Sequence, residues 1–222
     1  MGAPNRRKAR QLADESLKRG DALGWFEELY TEAEGDPTAI PWADLAVNPH
    51  LAEWLARETP PGNGRRALVV GCGLGDDAQA LAARGFAVVA FDLSATAIDW
   101  CRQRFPESSA DFQVASVLEL PPHWQRAFDL VVEIYTLQVL PPELRSQAAT
   151  AIADTVAPGG TLVVIARGRE AHEEPGSMPW PLVASELDLF TQTGLRLVRF
   201  ENFFDNEDPP VRRFRAQFVR DR

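Results

Sequence analysis

Cysteine is scarce in this sequence, which has two among its 222 residues, Cys72 and Cys101. Two cysteines cannot form a disulfide framework, and their spacing does not match a zinc site, so no metal centre is expected. The sequence also has no run of eighteen apolar residues and no signal-like apolar segment at its start. These absences predict a cytoplasmic protein that does not insert into a membrane.

Positively charged residues are fewer than negatively charged ones. The sequence has 23 lysines and arginines and 32 aspartates and glutamates, which gives a net charge of −9 at pH 7. A net-acidic surface repels phosphate backbones, so nucleic acid is not an expected partner. The basic cluster Arg6, Arg7, Lys8 and Arg10 is short, and we interpret it as the solvated face of a helix. Apolar residues make up 45% of the chain, which suffices for a sizeable core.

Residues 1–62 have the pattern of amphipathic helices. An apolar stripe at helical spacing predicts one helix, and its members are Ala22, Trp25, Phe26 and Leu29. Another helix is predicted to begin at Asn48 and Pro49 and to stop at the Pro-Pro-Gly of 60–62. We interpret this block as a helical N-terminal extension, or lid, that precedes a separate domain.

From residue 63 to residue 222, short runs rich in Val, Ile and Leu alternate with helical stretches. Such alternation predicts a parallel sheet covered by helices on both faces. The last two apolar runs have no helix between them, so they must pair antiparallel. The predicted fold class is therefore α/β, a doubly wound Rossmann-like sheet of seven strands with a C-terminal antiparallel hairpin.

The stretch LVVGCGLGDDA at 68–78 ends the first predicted strand with three glycines, Gly71, Gly73 and Gly75. Glycine permits positive φ and lets a ligand approach the backbone without meeting a Cβ atom. The start of the following helix offers unpaired N–H groups. Asp92 lies at the end of the second predicted strand, where a carboxylate can accept hydrogen bonds from both ribose hydroxyls. Together these features predict a nucleoside-binding site.

The residues after the glycines indicate which kind of nucleoside the site binds. A dinucleotide-binding fingerprint requires its third glycine at position 76, where this chain has Asp76, followed by Asp77. Two carboxylates would repel a pyrophosphate but tolerate a cationic ligand. S-adenosylmethionine carries a sulfonium, an ammonium group and a ribose but no phosphate, so it is the expected cofactor. The alternative is that the two aspartates only interact favourably with the helix dipole.

The sequence resembles the class I S-adenosylmethionine-dependent methyltransferases over residues 65–220. The resemblance is carried by the glycine loop, the acidic end of the second strand, FDLVVEIYTLQVLPPELR, APGGTLVVIA and the terminal hairpin. Within the class, VVGCGLGDDA, WFEELY, IPWADL and LQVLPPELR are most similar to the thiopurine, thiol/halide and tellurite methyltransferase group. The resemblance implies methyl transfer from S-adenosylmethionine to a small molecule.

The resemblance also implies that aromatic residues of the N-terminal block fold over the cofactor. These residues are Trp25 and Trp42, with Tyr30 on the substrate side. Further cofactor contacts are expected from Gly71, Cys72, Gly73, Gly75, Asp76, Asp92, Leu93, Ser116, Val117 and Glu133. A place in the core is the alternative for Trp25, and it is our interpretation of Trp54.

Ser116 departs from the class pattern, which often has an acidic residue there to accept a hydrogen bond from the adenine amino group. A serine hydroxyl can accept the same bond, and the Val117 N–H can meet a ring nitrogen. Glu119 is the alternative acid if the turn is one residue longer.

Glu133 ends the fourth predicted strand inside the apolar run LVVEIYTL. An unpaired buried glutamate is costly, so we expect Glu133 and Tyr135 to line the methionine and substrate side. The alternative for Glu133 is a salt bridge to an arginine. The long segment after the fifth predicted strand carries His172 and Trp180, which we expect to contact the methyl acceptor.

A thiol, a selenium or tellurium species, or a halide attacks as a soft anion without a strong base, whereas an amine or phenol needs deprotonation. The candidate bases His50, His123 and His172 are each interpretable as ordinary histidines, so no catalytic residue is assigned. The preferred prediction is a methyltransferase, monomeric or homodimeric, that acts on a small soft nucleophile. The alternatives are a natural-product O- or N-methyltransferase, a non-catalytic cofactor-binding module and a nicotinamide oxidoreductase.

Overall fold

The computed structural model describes residues 3–58 and 62–222. The strands are β1 (Arg66–Val70), β2 (Ala87–Asp92), β3 (Asp111–Val114), β4 (Phe128–Ile134), β5 (Val156–Arg167), β6 (Leu195–Phe204) and β7 (Arg212–Arg220). The helices are α1 (Ala3–Lys18), α2 (Trp25–Glu32), α3 (Pro49–Glu58), α4 (Asp76–Ala82), α5 (Ala95–Arg104), α6 (Pro142–Thr155) and α7 (Asp188–Thr191). One sheet joins the seven strands in the order β3-β2-β1-β4-β5-β7-β6, which confirms the predicted α/β class and strand number.

Five of the strands, β3, β2, β1, β4 and β5, run parallel. The central strands β1 and β4 are almost entirely buried, as expected for strands covered on both faces. The strand order reverses at β1, with β2 on one side and β4 on the other. The loops at the carboxyl ends diverge at such a point and leave a crevice for a ligand. The glycine loop, Asp92 and Glu133 all lie at this edge of the sheet.

The predicted C-terminal hairpin is present, because β7 pairs antiparallel with both β5 and β6. This pairing places β7 inside the sheet and leaves β6 at its edge. Arg167, the last residue of β5, is the cross-strand partner of Arg213 on β7. Two arginines therefore lie near the edge of the sheet that carries the glycine loop.

Apolar side chains cover both faces of the sheet. One cluster includes α6 and the tilted Phe190–Phe218 ring pair, and the other includes residues of α3, α4 and α5. Ser94 caps α5 by accepting a hydrogen bond from the N–H of Ala97 at 2.9 Å. The helices thus hold the ends of β1 and β2, which carry the predicted nucleoside-binding residues, in place.

Residues of α1 and α2 form a third apolar cluster, which also contains Leu74 and Ala97. Glu27 of α2 accepts hydrogen bonds from the hydroxyls of Ser94 and Thr96, each at 2.6 Å. These contacts attach α2 to the start of α5. Of the helix stop predicted at 60–62, Pro60 and Pro61 lie outside the described residues. Across the described ranges, no helix combines the length and apolar character that crossing a membrane requires.

Helix α3 packs on the C-terminal hairpin. Trp54 is 3% exposed, which agrees with its interpretation as a core residue, and its Nε1 donates to Gln217 Oε1 at 3.1 Å. Arg215, also 3% exposed at its side chain, forms ion pairs with Glu53 of α3 at 2.9 Å and with Glu201 of β6 at 2.7 Å. Ion pairs therefore join the N-terminal block to the last two strands.

Candidate active site

A cavity of about 550 Å³ opens at the carboxyl edge of the parallel strands, above the reversal point of the sheet. This volume falls in the range of roughly 300–1,000 Å³ that is usual for small-molecule sites. The floor is the glycine loop and the ends of β2, β3 and β4. The walls come from α1, α2, the 41–50 segment and the loops around residues 178 and 206.

The first two glycines of the loop line the cavity with backbone that a side chain would disturb. Gly71 has φ +59°, and a Cβ atom there would lie 2.4 Å from Thr136 Oγ1. Gly73 has φ +52°, and the nearest atom to a Cβ there would be the Tyr30 hydroxyl at 3.4 Å. The absence of side chains at these positions opens the floor of the cavity.

Gly75 differs from the two other glycines because it does not line the cavity. Its φ is +88°, and a Cβ atom there would meet Cys101 Sγ and the Phe112 ring at 3.0 Å. The position requires glycine for its backbone conformation and for packing against α5 and β3. The cavity lining does not support the expected contact between Gly75 and the cofactor, which stays a prediction.

Asp92 lies where the sequence predicts a ribose acceptor. Its carboxylate is 8% exposed, and it accepts hydrogen bonds from the N–H of Gly73 at 2.9 Å and from the N–H of Ser94 at 3.0 Å. Burial raises the pKa of Asp92 to about 6. An ionised carboxylate has about four acceptor sites, so Asp92 can hold the glycine loop and still accept from a ligand in the cavity.

The two aspartates after the glycines have different partners. Asp76 forms a two-pronged ion pair with Arg104, both contacts being 2.8 Å. The charge argument made for Asp76 from the sequence is therefore corrected, because Arg104 neutralises it. Asp77 accepts the N–H of Asn48 at 2.7 Å and forms no ion pair with any residue in the described ranges. Burial raises the pKa of Asp77 to about 6.

At the β3 end, Leu93, Ser116 and Val117 line the cavity together. The Ser116 hydroxyl accepts a hydrogen bond from the N–H of Leu118 at 3.2 Å, and its own O–H is available as a donor. Glu119 is exposed and does not line the cavity. The alternative in which Glu119 replaces the missing acid is therefore wrong.

Glu133 is fully buried but does not line the cavity. Its Oε1 accepts hydrogen bonds from the N–H groups of Thr136 and Leu137 at 2.7 and 2.9 Å, while Oε2 has no partner among the described residues. The alternative of a salt bridge to an arginine is wrong within the described residues, and the place on the methionine side, which the cavity lining does not support, stays a prediction. The carboxyl instead turns back to hold the loop that follows β4, and burial raises its pKa to about 7.

A Glu133→Gln variant is expected to gain stability relative to the wild type as the pH rises. The folded-state pKa of about 7 exceeds the unfolded value, so the folded wild type holds the extra proton between these values and loses stability as pH rises through them. Glutamine keeps the acceptor for both N–H groups and does not titrate. The difference in free energy of unfolding between variant and wild type, measured by urea titration, is expected to shift by a few kcal/mol between pH 5 and pH 8, since one pKa unit is worth about 1.4 kcal/mol.

The control for this measurement is Glu119→Gln, which removes an exposed carboxylate from the same side of the sheet. The difference in free energy of unfolding between Glu119→Gln and the wild type is expected to stay constant over the same pH range. A flat difference for Glu133→Gln would contradict the assignment of the buried, proton-binding carboxyl.

Tyr135 lines the cavity directly after β4, in a backbone conformation that aromatic residues rarely adopt. Its φ is +63°, which costs roughly 1–2 kcal/mol for a residue with a side chain. The guanidinium carbon of Arg213 lies 5.2 Å from the centre of the Tyr135 ring. The surrounding structure thus holds a strained aromatic residue at the cavity, where such strain is often associated with function.

Aromatic residues of the N-terminal block cover the glycine loop. Trp42 and Tyr30 both line the cavity, and Trp42 Nε1 donates to the Tyr30 hydroxyl at 2.9 Å. Trp25 is 1% exposed and does not line the cavity. Its ring packs edge-on to Trp42 at 6.0 Å, so the core alternative fits Trp25, and its expected cofactor contact stays a prediction. Phe26 lines the cavity instead.

The long segment after β5 lines the cavity, but not with the two residues that were predicted to contact the methyl acceptor. His172 is exposed, and neither His172 nor Trp180 lines the cavity. Trp180 lies beside the Arg145 guanidinium, 6.0 Å from its ring centre, because the chain turns it towards α6. Met178 and Pro179 line the cavity in their place, and the expected acceptor contacts of His172 and Trp180 stay predictions.

Several residues that line the cavity were not predicted to lie there. His50 lines it from the first turn of α3, and four arginines line it from α1, β5 and β7. These arginines are Arg6, Arg10, Arg167 and Arg213. They come from distant segments, so no local motif indicates that they meet; the basic cluster at the N-terminus is the only sequence signal for two of them.

Comparisons with known proteins agree with this geometry. A family model described as a methyltransferase domain matches residues 67–160, which include the glycine loop, Asp92 and β4. A probable thiol methyltransferase 2 of Arabidopsis thaliana is 27% identical over 84% of this chain and 79% of that protein.

The chain is a class I S-adenosylmethionine-dependent methyltransferase.

Two solved structures share the fold of this methyltransferase. The structure reported as "Conversion of a Disulfide Bond into a Thioacetal Group during Echinomycin Biosynthesis" aligns with a TM-score of 0.71 and 23% identity, over 88% of this chain and 91% of that one. A TehB-like SAM-dependent methyltransferase from Corynebacterium glutamicum aligns with a TM-score of 0.64 and 21% identity, over 88% and 98% of the two chains.

The residues of the methyltransferase cavity fit S-adenosylmethionine. Gly71 and Gly73 leave the floor open to a closely approaching ligand, Asp92 has acceptor capacity for hydroxyls, and Asp77 offers a carboxylate without a counter-ion. No pyrophosphate-binding third glycine is present at position 76. The cofactor of this enzyme is therefore S-adenosylmethionine and its acceptor is a small molecule.

Proposed function

We propose that this methyltransferase acts on a small soft nucleophile, namely a thiol, a selenium or tellurium species, or a halide. S-adenosylmethionine supplies an activated methyl group, which passes to the nucleophile while the sulfur retains the electron pair of the broken bond. The protein's part is to align the two partners and to exclude water.

The proposed cofactor contacts follow from the order of the strands. Asp92 on β2 accepts from the ribose hydroxyls, and Ser116 and Val117 after β3 contact the adenine. Gly71, Gly73 and Asp77 face the sulfonium and ammonium side, next to Tyr135 after β4. Trp42 and Tyr30 cover this side and keep water from the reacting atoms.

The observation that carries the soft-nucleophile proposal is that the histidine on the cavity wall is not held in the orientation of a base. His50 is the histidine that lines the cavity, and its ring packs edge-on against Phe203 at 5.2 Å. No described carboxylate or carbonyl accepts a hydrogen bond from this ring, whereas a catalytic base is normally held in place by such a partner. A thiolate or halide needs no base, and the thiol methyltransferase relative in Arabidopsis supports this acceptor class.

A second candidate is an O- or N-methyltransferase in which His50 removes the acceptor's proton. The observation in its favour is that burial and the charge of Arg213 lower the pKa of His50. The imidazole is therefore neutral near pH 7 and able to accept a proton.

The two candidates are separated by a transfer assay with methyl-labelled S-adenosylmethionine on matched acceptors. Thiophenol, hydrogen selenide and iodide represent soft nucleophiles, and phenol and aniline represent acceptors that must lose a proton. The proposal expects turnover of the soft set alone, with His50→Gln retaining most of it. Turnover of phenol or aniline that disappears in His50→Gln would instead establish the second candidate.

A further inference from the structure

The acceptor side of the cavity carries an arginine without a partner. Arg167 ends β5 and lines the cavity. Within the described part of the chain its side chain forms no ion pair or hydrogen bond, and its Nε is buried without a partner. Burial and the neighbouring charge of Arg213 lower the pKa of Arg167. A buried guanidinium N–H that lacks an acceptor costs free energy, and an anion bound in the cavity would supply that acceptor.

The neighbouring acidic residues are already engaged by another arginine. Arg213, the cross-strand partner of Arg167, is paired with Asp205 at 2.6 Å and with Glu207. These two carboxylates form ion pairs with Arg213, and neither forms one with Arg167. Like charges directly opposite each other in a sheet are destabilising, which strengthens the attraction of Arg167 for an anion.

Other residues at this end of the cavity add further positive charge. Arg10 of α1 donates from Nε to the Met178 carbonyl at 2.8 Å and pairs with no described carboxylate. Arg6 and the carboxylate of Asp44 also line this end of the cavity, whereas Asp76, Asp77 and Asp92 line it at the glycine loop and the end of β2. Four arginines therefore face three carboxylates here, in a chain whose net charge is −9.

The position of Arg167 in the sheet separates it from the cofactor's proposed place. Asp92, the proposed ribose acceptor, ends β2, and β1 and β4 lie between β2 and β5. Three strand spacings of about 4.8 Å put Arg167 roughly 14 Å from Asp92 along the edge. In the proposed arrangement the methionine part of the cofactor would face the loops after β1 and β4, which would leave Arg167 beyond it, on the acceptor's side.

We propose that Arg167 binds a carboxylate on the methyl acceptor, so that the substrate is a small thiol or related soft nucleophile carrying an acid group. The inference rests on the proposed function and adds the acceptor's second recognition element. The guanidinium presents paired N–H donors that match a carboxylate in a two-pronged contact. This contact would fix the acid at one end and direct the nucleophile towards the methyl group.

The kinetic test compares two thiols that differ in charge, mercaptopropionate and mercaptopropanol. Arg167→Gln is expected to raise the KM for mercaptopropionate by roughly tenfold or more, the usual loss for a charged hydrogen-bonded pair, and to leave the KM for mercaptopropanol nearly unchanged. Arg167→Lys is expected to recover part of the loss. The control Arg7→Gln removes the same charge from an exposed position outside the cavity and is expected to match the wild type with both thiols.

The binding test does not depend on methyl transfer. Propionate and propanol are titrated by calorimetry onto protein saturated with S-adenosylhomocysteine, after the affinity for S-adenosylhomocysteine itself has been measured for each variant. The proposal expects propionate binding that is lost in Arg167→Gln, with affinity for S-adenosylhomocysteine unchanged. A fall in that affinity would assign Arg167 to the cofactor's own carboxylate and overturn the proposal.

The kinetic and binding tests distinguish failure of the soft-nucleophile proposal from failure of the carboxylate-site proposal. Propionate binding that requires Arg167, together with no methylation of any thiol, would refute the soft-nucleophile proposal and keep the carboxylate site. Thiol methylation with equal KM changes for charged and uncharged thiols, or with no change in Arg167→Gln, would keep the proposed function and refute the carboxylate site.

Discussion

An Asp92→Asn variant is expected to bind S-adenosylhomocysteine roughly 10- to 100-fold more weakly than the wild type, the usual cost of losing hydrogen bonds to a charged group. The Asp92 carboxylate accepts from the N–H groups of Gly73 and Ser94 with different oxygens. Asparagine has one acceptor oxygen, so one of these N–H groups would face an amide donor. The same substitution removes an acceptor for the ribose hydroxyls. Calorimetric titration of the purified variant measures the loss.

The matched control for this variant is Asp99→Asn on α5. Asp99 is exposed and pairs with Arg102 one turn away at 3.1 Å, so its substitution removes the same charge without reaching the cavity. The affinity of Asp99→Asn for S-adenosylhomocysteine is expected to equal that of the wild type. Should Asp92→Asn also bind normally while remaining folded by circular dichroism, the carboxylate would have no place in cofactor binding.

A Gly71→Ala variant is expected to lose cofactor binding by at least about tenfold and to unfold more easily by roughly 1–2 kcal/mol. The added Cβ atom would lie 2.4 Å from Thr136 Oγ1 at a φ of +59°. Relief of this clash must move Thr136, whose hydroxyl donates to the Val70 carbonyl at 3.3 Å, or the glycine loop itself. Either movement changes the floor of the cavity. Titration with S-adenosylhomocysteine and urea unfolding give the two quantities.

The control variant Gly35→Ala separates the effect of backbone strain from the effect of the clash with Thr136. Gly35 has φ +88° and open space around the position of a Cβ atom, so alanine there is strained but touches nothing. We expect this control to lose stability and to keep full affinity for the cofactor. Normal binding by Gly71→Ala would mean that the loop accommodates a side chain and that its openness is not required.

Most of the fold is predictable because its signals are local. The apolar runs of β1 and β4 are buried on both faces, and the lack of a helix between β6 and β7 leaves antiparallel pairing as the available arrangement. Ser94 is a helix cap that needs only its own neighbours to be recognised. The position of β7 between β5 and β6 is a property of the whole sheet, and the sequence pattern does not specify it.

The candidate site is predictable where one short segment forms it and unpredictable where distant segments meet. Gly71, Gly73 and Asp92 were identified because the loop and the strand end have a fixed spacing. The neutralisation of Asp76 by Arg104 depends on how α4 packs on α5, and no local pattern indicates it. Glu133 was expected at the cavity because burial of a carboxylate is costly, but backbone N–H groups of the following loop provide its partners instead.

The ion pairs between α3 and the hairpin have a consequence for thermal behaviour. Glu201 receives both Arg57 and Arg215, which lower its pKa to about 2, and Glu53 adds a second contact from α3. These charges are partly exposed, so dissolved ions shield them over a Debye length of about 10 Å at 0.1 M ionic strength. In dilute buffer these ion pairs are therefore expected to add to the apolar packing of α3 on the hairpin, whereas concentrated electrolyte removes their contribution and lowers the melting temperature, which calorimetry at two salt concentrations measures.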